Sequence, residues 1–148
     1  MRSERDKGDD EIDAFLRFVK AANLSIDVST IEKRNPPEPD LRCVHEVDGA
    51  IAFELVELCD PKMAKAQAEL SGAYIRTSDP STGIIAKKLS RKYKTNLPIE
   101  LLCYTNGRIV TPDSHILLRV RPYLRSWRHV FRRAWLMGRK GTYEIWSI

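Results

Sequence analysis

Helical and strand patterning alternate along this chain, and the alternation predicts an α/β fold: one domain with helices layered around one sheet. Three observations carry that reading. Two strand-like runs, LRCVHEV and AIAFELVEL, meet at Asp48-Gly49, a hairpin-turn signature. Ile12, Phe15, Leu16 and Val19 stand at the i, i+3, i+4, i+7 spacing of an amphipathic helix. PIELLCYT at 98–105 is apolar on both faces, as a strand buried between two layers must be. A chain of 148 residues is long enough for one domain with its own core.

Each element follows in order. Residues 1–8 are charged and read as a flexible terminus, so the domain is 9–148. Asp9 or Asp10 caps a helix over 11–22. IDVSTI at 26–31 alternates and contains β-branched residues, which predicts a short strand. RNPPEPD at 34–40 is a rigid connector, too short to divide domains. After the hairpin, Asp60 caps a helix with Pro61 in its first turn, running to Ser71 and stopped by Gly72. GIIAKKLSRKYK at 83–94 reads as a basic amphipathic helix. Thr111 caps a further helix from Pro112 to Leu124, and HVFRRAWLM and TYEIWSI form a final hairpin around Gly138–Gly141. Trp127, Trp135 and Trp146, with Phe131 and Tyr143, are assigned to the core of that hairpin.

Composition excludes several classes. At 43% hydrophobic residues, with 7 Gly and 8 Pro, the chain is neither disordered nor collagen-like. No apolar run approaches the ~18 residues of a membrane span, and the charged N-terminus lacks a signal peptide's apolar stretch. Cys43, Cys59 and Cys103 offer no CxxC pair, so neither a disulfide framework nor a cysteine zinc site is indicated. His45, His115 and His129 have no metal-ligand spacing and read as ordinary hydrogen-bonded histidines. These features predict a cytoplasmic protein. The net charge of +5 hides an asymmetry: residues 1–70 hold 10 Lys+Arg and 16 Asp+Glu, whereas residues 71–148 hold 15 and 4. Such a split points to a cation site in the first half and a polyanion surface in the second.

Pro39-Asp40 opens the first hairpin strand and Glu54 lies in the second. Pairing brings two carboxylates together where nothing structural requires them, a hard-oxygen site suited to Mg²⁺ or Mn²⁺. A three-residue loop with Gly49 in the left-handed region sets Asp40 beside Val56, on Glu54's face; a two-residue loop separates the acids. Glu57 points to the opposite face and reads as a surface salt bridge.

Helix, strand, PD at a strand start, hairpin, acidic strand and helix together resemble the PD-(D/E)xK nuclease superfamily over roughly residues 10–105. The resemblance implies a restriction-endonuclease-like fold, with a mixed central sheet flanked by helices, and Mg²⁺- or Mn²⁺-dependent hydrolysis of DNA. It makes Asp40 and Glu54 the metal-binding acids, has Leu55 offer its carbonyl, and makes Glu11 the additional helical acid. The sequence departs from the pattern at Val56, where the family's lysine belongs. Gln67, on the apolar stripe between Met63 and Leu70, is its expected substitute, with Lys65 second because of its longer reach. Lys88, Lys92, Arg132 and Arg133 are the expected phosphate contacts. DNA is the expected partner, no membrane is, and a homodimer is left open. Two rival readings are a catalytically inactive module of the same fold that binds nucleic acid or a protein, and an unrelated small α/β protein whose PD and acidic strand are coincidental.

Overall fold

The computed structural model describes residues 4–60 and 79–148. Helix α1 (Glu4–Ala21) is followed by strands β1 (Ile26–Lys33), β2 (Leu41–His45) and β3 (Gly49–Glu57). After the gap in the described residues come α2 (Ser81–Ser90), β4 (Ile99–Tyr104), α3 (Asp113–Ser126), β5 (Phe131–Met137) and β6 (Thr142–Ser147). The predicted 61–71 helix, and with it Lys65 and Gln67, lies outside the described residues.

The strands form one open, mixed sheet in sequence order, β1 to β6. β3, β4 and β5 run parallel to one another, and the outer pairs are antiparallel. This is an α/β architecture, and the terminal hairpin closes it as β5 and β6. Side chains alternate along β3: Ile51, Phe53 and Leu55 meet Phe15, Phe18 and Val19 of α1, while Ala52 and Val56 join Ile85 of α2 and Val120 of α3. The sheet is thus covered on both faces, which is why β4 is apolar throughout apart from Glu100. That carboxylate is 2% exposed and is satisfied by Trp135 Nε1 and Arg132 Nε, both donating at 2.8 Å. No helix among the described residues is long and apolar enough to cross a membrane.

Several boundaries differ from the sequence reading, each for a local reason. α1 begins at Glu4, so residues 4–8 are helical where a flexible terminus was expected; Asp6 stands in the first turn, at the positive end of the helix dipole. The third helix starts at Asp113 and its cap position is Pro112, not Thr111, whose hydroxyl instead donates to Asp79 Oδ1 at 3.1 Å. α2 stops at Ser90, and Arg91 is already extended, because the chain turns there to pair Lys94 N with Pro37 O. Trp127 lies outside the hairpin core and is 41% exposed.

Candidate functional site

The site grows out of the β2–β3 hairpin. The pair His45↔Gly49 closes a three-residue loop, Glu46 to Asp48, with Gly49 at φ 77°. His45 Nδ1 accepts both the Val47 and Asp48 N–H groups, which secures the loop. Loop length and the glycine conformation match expectation, but the register does not. Leu41 pairs with Phe53, so the next residue, Asp40, falls across from Glu54 itself and not from Val56. The loop starts one residue before the 47–49 loop that would set Asp40 beside Val56, so the pairing moves by two and the parity is kept. Glu54 therefore faces α2 with Ala52 and Val56, while Asp40, just past the last ladder pair, holds its carboxylate at the strand end.

One further step along this register sets Pro39 across from Leu55. A residue in an antiparallel ladder turns its N–H and C=O to the same neighbour. Proline has no N–H to give the Leu55 carbonyl, and the Leu55 N–H is taken by Asp40 Oδ2 at 2.9 Å. The ladder thus ends at Pro39-Asp40 with a backbone carbonyl and two carboxylates at one edge.

Cations converge on these acids from both sides of the sheet. Glu54 is 2% exposed; its Oε1 accepts the Asp40 N–H at 3.0 Å. Its Oε2 accepts Lys88 Nζ at 2.8 Å, Tyr93 OH at 3.1 Å and Arg91 Nη1 at 3.4 Å. From the other side, Lys33 pairs with Leu41 across β1–β2 and so faces α1. Its Nζ lies 3.3 Å from Glu11 Oε2 and 3.9 Å from Asp40 Oδ1. Burial raises the pKa of Glu54, and the Asp40 charge raises it further against the lowering effect of Lys88. Burial, then the Glu11 charge, raises Asp40, while its bond from Leu55 N and the charges of Lys88 and Lys33 lower it. The Tyr93 hydroxyl is held well above its ordinary range by burial and by Glu54, so it acts as a hydrogen-bond donor. A cavity of about 340 Å³ opens over Asp40 and Glu54, walled by Glu38, Arg91, Lys92 and Tyr93.

The structure therefore brings Asp40, Glu54 and Leu55 together, with Glu11 joined to Asp40 through Lys33. Lys88, expected as a phosphate contact, sits against Glu54 with its side chain 16% exposed. Arg132 is held between Glu100 and Asp48. Arg133 lies near Glu144 and over the Trp135 ring. Lys92 alone of the four is both exposed and beside the cavity. Lys33 and Tyr93 were missed by sequence reasoning, and Arg91, read only as part of a basic helix, meets Glu54. Glu57 is bound by Arg108, consistent with a salt-bridge role on the face away from Glu54.

Among the described residues no three His, Cys, Asp or Glu side chains form a ready-made metal cluster. The donor chemistry still fits a hard divalent ion: two carboxylates and a carbonyl, with a like-charge repulsion that such an ion relieves. Comparison of the chain with family models, curated proteins and solved structures yields no match.

Proposed function

We propose that this chain is a Mg²⁺- or Mn²⁺-dependent nuclease acting on DNA, built on a restriction-endonuclease-like version of the α/β fold. One observation supports the reading: Asp40 and Glu54 meet at the end of the β2–β3 ladder on the wall of an open cavity, with Lys88 seated on Glu54. Asp40, Glu54 and the Leu55 carbonyl would hold the metal, which when bound supplies positive charge to the phosphodiester and lowers the pKa of a bound water. Glu54 fixes the Lys88 ammonium, which answers the absence of a lysine at Val56. From that position Lys88 can orient a water at the scissile phosphate and offset the charge that grows on it. Lys92 and Arg91 line the entrance and attract the backbone on either side. Glu11 and Lys33 tune Asp40 through charge.

The test is cleavage of linear and branched DNA with Mg²⁺ or Mn²⁺ by wild type, Asp40→Ala, Glu54→Gln and Lys88→Met. Wild type should cut and all three variants should lose activity; an Asp40→Ala protein that cuts like wild type refutes this assignment. The second reading, an inactive binding module, draws support from the internal cations already seated on the acids. Wild type that binds DNA yet cuts nothing with either metal favours it.

A further inference from the structure

We infer that the C-terminal end of α3 binds an unpaired nucleic-acid strand, with Trp127 as a stacking platform and Arg125 and Arg128 as its phosphate contacts. The inference rests on the nuclease reading and specifies the form of its substrate. Residues 114–143 contain eight Lys or Arg and no Asp or Glu. Some of these bases have carboxylate partners: Arg119 lies 3.8 Å from Asp79, and Arg132 and Arg133 are engaged as described. Arg125 and Arg128 are exposed and flank Trp127 in sequence. Trp127 is 41% exposed, against 8% for Trp135. Its ring is steadied by Tyr123, with centroids 5.6 Å apart at 45°. A steadied, accessible indole between two guanidinium groups suits a base flanked by its phosphates.

The position of the patch ties it to the acids. Tyr93, which donates to Glu54, packs on Phe131 at 5.8 Å, and Phe131 packs on His129 at 5.8 Å. His129 Nε2 in turn meets Leu124 O at 3.1 Å, in the last turns of α3. Exposed Arg91, Lys92 and Lys94 cover the intervening loop. A continuous chain of contacts therefore joins the carboxylates to the last turns of α3, the helix that Trp127 follows. Base faces are accessible to an indole only when the strand is unpaired. An anionic lipid surface fits less well: Val130 is the exposed apolar residue near Trp127 and Leu118 lies nine positions before it, ~13 Å along a helix, which is too little apolar surface for an inserting amphipathic face.

The experiment measures binding without divalent metal, by anisotropy of a labelled single strand of about 12 nucleotides, its duplex, and phosphatidylserine vesicles. Trp127→Ala should weaken single-strand binding about tenfold and duplex binding less than twofold, with Trp127→Phe recovering most of the loss. Arg125→Gln and Arg128→Gln should each flatten the single-strand salt dependence by about 0.7. Unchanged single-strand affinity in Trp127→Ala, no single-strand binding at low salt, or a preference for vesicles overturns the inference. A protein that binds the strand through Trp127 yet never cuts overturns the nuclease reading alone. One that cuts duplex DNA and binds single strands equally well with Trp127→Ala overturns only this inference.

Discussion

Replacing Lys88 by methionine removes a charge while keeping an apolar stem of similar length. Its partner Glu54 is 2% exposed and accepts the ammonium at 2.8 Å. Truncating one member of a buried ion pair costs about 3–5 kcal/mol. Here Tyr93 and Arg91 remain on the same oxygen at 3.1 and 3.4 Å, and Lys88 is itself partly hydrated, so the expected loss is about 2 kcal/mol at pH 8. For a chain of 148 residues that lowers Tm by about 4–8 °C. The loss must depend on pH. Lys88 lowers the Glu54 pKa, so the variant's folded value rises further above the unfolded one. An acid raised in this way favours the folded state below its unfolded pKa and loses that advantage as pH climbs through the folded value. The gap between variant and wild type should therefore be small near pH 4.5 and full at pH 8. Thermal melts across that range measure it, with Lys88→Met/Glu54→Gln as the rescue expected to recover more than half of the loss. An equal gap at both pH values, or a double variant no more stable than the single one, refutes the argument.

Three other outcomes are expected. Because Asp40 and Glu54 are both raised, their contribution to metal-free stability falls as pH rises through their folded values; Asp40→Asn should flatten that fall, and Mg²⁺ should stabilise wild type most at the alkaline end, as melts with EDTA or Mg²⁺ will show. Pro39→Ala supplies the N–H that the Leu55 carbonyl lacks, so the ladder should lengthen and Mg²⁺ affinity fall about tenfold by titration calorimetry, whereas an unchanged affinity removes that carbonyl from the site. A Cβ on Gly138 would overlap the Asp113 carboxylate, which holds Arg139 N and Lys140 N; Gly138→Ala should cost about 2–3 kcal/mol in urea unfolding, and less than that when added to Asp113→Ala.

The hairpin, the central strand and the paired acids were legible because each is written as a local pattern: a turn glycine, an uninterrupted apolar run, a charge inside an apolar strand. The register was legible only in parity. Its offset of two comes from a loop secured by His45, a contact that no turn signature encodes. The second cation of the site was harder to see. Lys88 lies three residues after Ile85, on the border of the buried stripe of α2, and that spacing could have marked it as half inward. Arg91 and Tyr93 became reachable only because the helix ends at Ser90, where basic periodicity suggested that it continues. Lys33 needed the whole β1–β2 pairing, including the register shift between Asp27 and Glu32, to come level with Asp40.

The placement of Glu54 also constrains the order in which the molecule can assemble. β3 is the inner edge of the hairpin, yet its carboxylate is buried against a lysine 34 residues further on, and its other ladder is the parallel one with β4. A nascent chain ending shortly after Glu57 holds the acids without their compensating ammonium and the strand without its second neighbour. That face of the hairpin is then still hydrated, without apolar cover or a parallel neighbour, and the hairpin stays reversible until α2 and β4 emerge. Once they dock, charge and ladder close together. The commitment step of folding thus falls late in synthesis and coincides with completion of the cavity over Asp40 and Glu54.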